Sequence, residues 1–68
     1  MTQIIFNGNT AEFAPGDTLA SFLHLRNIGA KNLIIEWNGK ILTENDSLES
    51  FTLQDGDTLN LFSMVGGG

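Results

Sequence analysis

A chain of 68 residues has room for one thin core, because a domain of this size buries only about 60% of the surface that its unfolded chain exposes. It holds no cysteine, which excludes disulfides, a thiol nucleophile and a thiolate metal site. Three Lys+Arg against eight Asp+Glu give a formal net charge of −5, which excludes the basic footprint of a nucleic-acid binder and suits a basic patch on a protein partner.

Hydrophobic residues make up 41% of the chain, too many for a disordered one. The start carries no positive region followed by a long apolar stretch, and no apolar run exceeds three residues. A cytoplasmic protein without signal peptide or membrane span is therefore expected. There is no internal repeat, no phosphate loop, no nucleophile elbow and no dinucleotide fingerprint.

In chain order, Gln3 to Phe6 reads as a strand, and Asn7-Gly8 as a two-residue hairpin turn in which both residues tolerate positive φ. Thr10 to Phe13 alternates, with Ala11 and Phe13 on one face and Glu12 on the other. Pro15-Gly16 fits the centre of a type II turn. A helix follows, capped by Asp17 or Thr18. Its buried stripe is Leu19, Phe22 and Leu23, with Arg26 near the end and Gly29 as the expected stop. Leu33 to Trp37 is a strand, Asn38-Gly39 a second tight turn, and Lys40 to Leu42 a short partner strand. Thr43 to Ser50 is polar with one helical turn expected. Phe51 and Leu53 return to the core, Asp55-Gly56 turns, and Thr58 to Met64 is the last strand with Leu59 and Leu61 on one face. One helix must cover one face of a mixed sheet, since nothing else is available to bury the apolar faces. The expectation is α+β: a β-grasp, ubiquitin-like sheet of four to five strands in a single domain over residues 1–65, with residues 66–68 as a flexible glycine tail.

That tail, Gly66-Gly67-Gly68, follows the last strand directly. Glycine loses more backbone freedom than any other residue on ordering, and these three bury no side chain in return. Three residues reach about 10–11 Å when extended, and without side chains they pass through a channel that a larger residue would block. A terminal carboxyl, with a pKa of about 3.3–3.7, is ionised at neutral pH and a poor electrophile. A mixed anhydride with AMP would give it a leaving group, and a sulfur nucleophile would then leave a thiocarboxylate. A frayed terminus is the plain alternative.

The chain resembles the ThiS sulfur-carrier family of thiamin biosynthesis. The matching pieces run nearly end to end: Gln3-Ile4-Ile5-Phe6-Asn7, Pro15-Gly16-Asp17-Thr18-Leu19, Trp37-Asn38-Gly39, Gln54-Asp55-Gly56-Asp57-Thr58-Leu59 and Phe62-Ser63-Met64-Val65-Gly66-Gly67-Gly68. The resemblance implies a protein co-substrate, not an enzyme, with no bound cofactor. A ThiF-like adenylating enzyme would consume ATP to adenylate Gly68, a persulfide donor would supply sulfur, and a ThiG-like thiazole synthase would receive it. Gly67-Gly68 match the family's terminal diglycine, and Gly66 is an extra glycine. Arg26 stands where an apolar residue is common in the family, so Leu25 and Ile28 are expected to share its packing role. A carrier for molybdopterin or another cofactor pathway, a ubiquitin-like modifier joined to lysines through Gly68, and a plain interaction domain remain open.

With Ile4 and Phe6 toward the helix, alternation sends Ile5, Ile34, Phe62 and Met64 to the other face of the sheet. Together with Val65 they are the expected partner-docking residues. Trp37 shares a face with Leu33 and Ile35 and is expected in the core. His24 is a surface residue without partners for catalysis or metal binding. Asp55-Gly56-Asp57 lacks the ordered ligands of a calcium loop and reads as turn chemistry.

Overall fold

The structure, a computed structural model, describes residues 2–29, 33–43 and 45–63. Its strands are β1 (Gln3–Phe6), β2 (Asn9–Glu12), β3 (Leu33–Trp37), β4 (Lys40–Leu42) and β5 (Thr58–Ser63). The helix α1 spans Leu19–Leu25, and a single 3-10 turn spans Leu48–Ser50. The strands form one sheet in the order β2-β1-β5-β3-β4. The β1–β5 pair is parallel and the other three are antiparallel. This is the β-grasp arrangement, with five strands.

Both Asn-Gly pairs form the turns their chemistry dictates. Asn7 and Gly8 have φ of 50° and 86°, and Asn38 and Gly39 have 51° and 85°. Positive φ at both central residues gives the turn twist that matches the right-handed twist of paired strands. Gly16, at φ 93°, is the third residue of a turn closed by the Asp17 N–H on the Ala14 carbonyl at 2.9 Å.

Helix α1 begins at Thr18, whose Oγ1 accepts the Ser21 N–H at 3.2 Å while Ser21 Oγ accepts the Thr18 N–H at 2.9 Å. This reciprocal capping box settles the cap on Thr18. Asp17 supports it from outside, accepting from Ser21 Oγ at 3.1 Å. The expected stop at Gly29 is not used. Asn27 takes the left-handed conformation at φ 58°, its N–H donates to the His24 carbonyl at 3.0 Å, and the Ile28 N–H donates to the Leu23 carbonyl at 2.9 Å. These two bonds define a Schellman end with Asn27 at the position usually given to glycine.

The core joins both sides of the fold: Ile4, Phe13, Leu19, Phe22, Leu23, Ile35, Trp37, Leu42, Leu53 and Leu59 are buried. Phe6, Ile28, Phe51 and Leu61 pack against it. Ile28 thus takes the packing role expected of it, whereas Leu25 is 73% exposed and does not. Arg26 fills that place. Its guanidinium lies 4.4 Å from the Phe22 ring centre and 5.8 Å from that of Phe6, and Nη2 donates to the Glu12 carbonyl at 3.3 Å. A planar cation on a long apolar stem covers ring faces well, so a charged residue caps the margin of the core.

The Asp55-Gly56-Asp57 segment fastens β1 to β5. The Gln3 N–H donates to Asp55 Oδ1 at 2.8 Å, and the Gly56 N–H to the Gln3 carbonyl at 2.8 Å. Asp57 Oδ2 accepts the Gln54 N–H at 2.7 Å, and Oδ1 accepts from Asn38 Nδ2 at 3.1 Å. Each carboxylate accepts a backbone N–H, Asp55 from Gln3 at the start of β1 and Asp57 from Gln54 in the loop, which is turn chemistry. One expected boundary shifts: the second strand is Asn9–Glu12. Strand β5 is described to Ser63, and its expected end at Met64 lies outside the described residues.

Candidate functional site

Strand β5 holds the centre of the sheet and runs toward the glycine sequence. Its alternation splits the fold in two. Leu59 and Leu61 pair with the core side, whereas Thr58, Asn60 and Phe62 belong to the face opposite the helix. Register assigns the rest of that face. Gln3 and Ile5 come from β1, Thr10 and Glu12 from β2, Ile34 and Glu36 from β3, and Ile41 from β4.

Ile34 lies directly across from Phe62, and they are 37% and 50% exposed. Ile5 is 40% exposed but pairs with Thr58, four residues before Phe62. At about 3.3 Å per residue this sets it roughly 13 Å further along the sheet. The structure therefore brings Ile34 and Phe62 together at the end of β5 nearest the glycines and leaves Ile5 at the opposite end. Met64, Val65, Gly66, Gly67 and Gly68 lie outside the described residues.

Two features of the face were missed from sequence. Ile41 is 52% exposed opposite Glu36. Its signal was the simple alternation with buried Leu42, obscured by a strand of three residues. The second is polar: Asn60 Nδ2 donates to Glu36 Oε1 at 2.9 Å across the β3–β5 pair, between Phe62 and Thr58 on one strand and beside Ile34 on the other. The open face is therefore mixed, with exposed Ile5, Ile34, Ile41 and Phe62 among polar side chains and one carboxylate, Glu36, anchored by Asn60.

Elsewhere, His24 is exposed and Trp37 is a core residue. Among the described residues no three His, Cys, Asp or Glu side chains are grouped to hold a metal ion, so none is a candidate ligand set. No described helix is long and apolar enough to cross a membrane. What this arrangement offers is a sheet face with exposed apolar side chains at the end of β5.

Comparison with known proteins follows the same lines. A crystal structure of a thiamine biosynthesis protein (ThiS) from Geobacter metallireducens superposes with a TM-score of 0.81, covering 98% of this chain and 100% of that one, at 23% identity. That likeness establishes the shared fold. No curated protein matches the sequence. The sequence model of the ThiS family matches residues 4–68, through every element of the sheet and on through the three glycines. The chain belongs to the ThiS family.

Proposed function

We propose that this protein is a sulfur carrier for thiazole formation in thiamin biosynthesis, and that the carboxyl of Gly68 is the group that carries the sulfur. The observation that carries this reading is the family match extending through Gly68. The chain acts as a co-substrate in the cytoplasm. A ThiF-like partner binds ATP, and the Gly68 carboxylate attacks its α-phosphorus, expelling pyrophosphate and forming an acyl adenylate. The terminal sulfur of a persulfide then attacks the carbonyl carbon and AMP leaves. A thiol cleaves the resulting S–S bond, is itself oxidised to a disulfide, and the thiocarboxylate remains for a ThiG-like synthase. The adenylate is needed because an ionised carboxylate, with its low pKa of about 3.3–3.7, repels nucleophiles.

The platform gives the partner its hold. Ile34 and Phe62 form an exposed apolar pair next to the last described residue of β5, with Ile5 and Ile41 extending the same face. Met64 and Val65 complete the docking set. Such pairs bind through desolvation of a central cluster.

Intact-mass spectrometry tests the reading. The protein is incubated with ATP, the adenylating enzyme of the same organism and a persulfide donor. One oxygen of Gly68 is replaced by sulfur, and a variant lacking Gly67 and Gly68 stays unmodified. The same spectrum reports whether Gly68 ends the mature chain. Failure of Gly68 to acquire either AMP or sulfur removes the carrier reading, and isopeptide-linked lysine adducts replace it with that of a protein modifier.

A further inference from the structure

We propose that Glu36, held by Asn60, is a specificity-determining residue of the open face, and that it pairs with an arginine or lysine side chain on the adenylating partner. This rests on the carrier reading above. Gly68 is five residues beyond Ser63, so it lies at most about 18 Å from the end of β5 however the intervening chain runs. An enzyme that reacts with its carboxyl must therefore bring its surface against that end of the sheet, where Phe62 and Ile34 are exposed.

Glu36 stands within that footprint. It is half-buried, flanked by Ile34 along its own strand, Ile41 on one neighbouring strand and Asn60 on the other. Its one side-chain hydrogen bond among the described residues is the 2.9 Å bond from Asn60 Nδ2 to Oε1. A partner covering Ile34, Ile41 and Phe62 strips water from this carboxylate. Losing hydration without a compensating charge is costly, and a cation restores most of it. The described strand positions of this face contain no lysine, arginine or histidine, since Lys40 lies opposite the buried Trp37 on the helix side. The other carboxylate among the described strand positions of the face, Glu12, sits on the edge strand β2. Among the described residues no cation of this face therefore stands beside Glu36, and the partner is the source of the counter-charge in this proposal.

A second copy of this chain does not meet that need. A twofold contact through this face is self-complementary, and the described strand positions of the face hold no cation that a second copy could offer to Glu36. Asn60 contributes by holding Oε1 of Glu36 in place, so that less rotamer freedom is lost when the ion pair forms.

The test measures binding of the adenylating enzyme of the same organism to the full-length wild-type chain, Glu36→Gln and Glu49→Gln. Glutamine at 36 keeps the shape and an acceptor for Asn60 and removes only the charge. Glu49 is exposed on the 3-10 turn, away from the open face, so its substitution reports the effect of net charge alone. Glu36→Gln raises Kd about tenfold or more, with the thermal midpoint unchanged, while Glu49→Gln stays within about twofold. The difference between the two variants narrows as salt is raised from about 0.05 to about 0.5 M. The inference is overturned if Glu36→Gln binds within about twofold of wild type or if Glu49→Gln loses as much. Sulfur loading of wild-type Gly68 is followed by mass in parallel. If it proceeds while Glu36→Gln binds normally, the carrier reading stands and this inference falls. If the wild-type chain neither binds nor reacts, both fall.

Discussion

Single polar side chains do a large share of the fixing in this small fold, and Asp46 shows how. Its Oδ2 accepts the Thr43 N–H at 2.8 Å and the Thr43 hydroxyl at 3.3 Å, closing the loop that leaves β4. The Thr43 backbone N–H holds the Asp46 carboxyl below the ordinary aspartate range; desolvation opposes it as the second effect in size, and the Thr43 hydroxyl and the positive charge of Lys40 add smaller lowering effects. The folded value lies below the unfolded one, so the stabilising contribution is fully present above the unfolded value. It disappears as pH falls through the folded value. Carboxyl-detected NMR should therefore show Asp46 titrating lower in the folded chain than in urea, with the Thr43 amide shift following the same curve. Thr43→Ala removes the hydroxyl but keeps the N–H, so the midpoint moves only part of the way back. A midpoint unchanged by unfolding would break the assignment. Asn7 works in the same manner at longer range: its Oδ1 accepts the Leu61 N–H at 2.8 Å, so the residue that makes the first turn also sets β1 against β5.

At the scale of elements, the end of α1 carries the sharpest lesson. Leu19, Phe22, Leu23 and Arg26 recur at i, i+3, i+4 and i+7, which is one face of a helix, and Leu25 falls off that face. The same spacing that identified the apolar stripe therefore also placed Arg26 on it. Reading Arg26 as a cation suited to the helix end hid a guanidinium that lies over the Phe22 ring. The stop at Asn27 was hidden for a related reason. Glycine is the usual left-handed residue, and Gly29 was available. The partner of Leu23 in the Schellman end is Ile28, which must reach the core, and that fixes the left-handed residue one position earlier. The Asn-Gly hairpins were legible because their φ requirement is local. The exposed Ile41 and the Asn60–Glu36 bond were not, because they depend on register between strands separated in sequence. The helix end makes a direct prediction. Asn27→Gly relieves the residual cost of positive φ and raises stability by a few tenths of a kcal/mol, while Asn27→Ala lowers it by about 1 kcal/mol. Urea melts monitored by circular dichroism measure both. A destabilised Asn27→Gly would mean that the Asn27 side chain contributes more than its backbone angle.

For the molecule as a whole, β5 is the strand on which the core and the proposed docking face separate. It links the halves of the sheet, parallel to β1 and antiparallel to β3, so its inner side chains carry the core and its outer ones form the open face. Leu59 is fully buried, and Phe62, three residues later on the opposite face, is half exposed. A 68-residue chain has a total stability of roughly 3–10 kcal/mol at about 0.05–0.15 kcal/mol per residue. Leu59→Ala opens a cavity in the centre of the only core and costs about 2–5 kcal/mol, a large part of that total. The variant should therefore be partly or wholly unfolded at 37 °C and lose its cooperative melt. Phe62→Ala removes a half-exposed side chain that lies across from Ile34 on the open face and costs about 1 kcal/mol or less. Its thermal unfolding stays cooperative while its binding to the adenylating partner weakens by about tenfold or more. Melting curves and binding isotherms on the two alanine variants read the two roles independently. If Phe62→Ala proved as destabilising as Leu59→Ala, the outer face would belong to the core, and the division of β5 into a structural side and a docking side would be wrong.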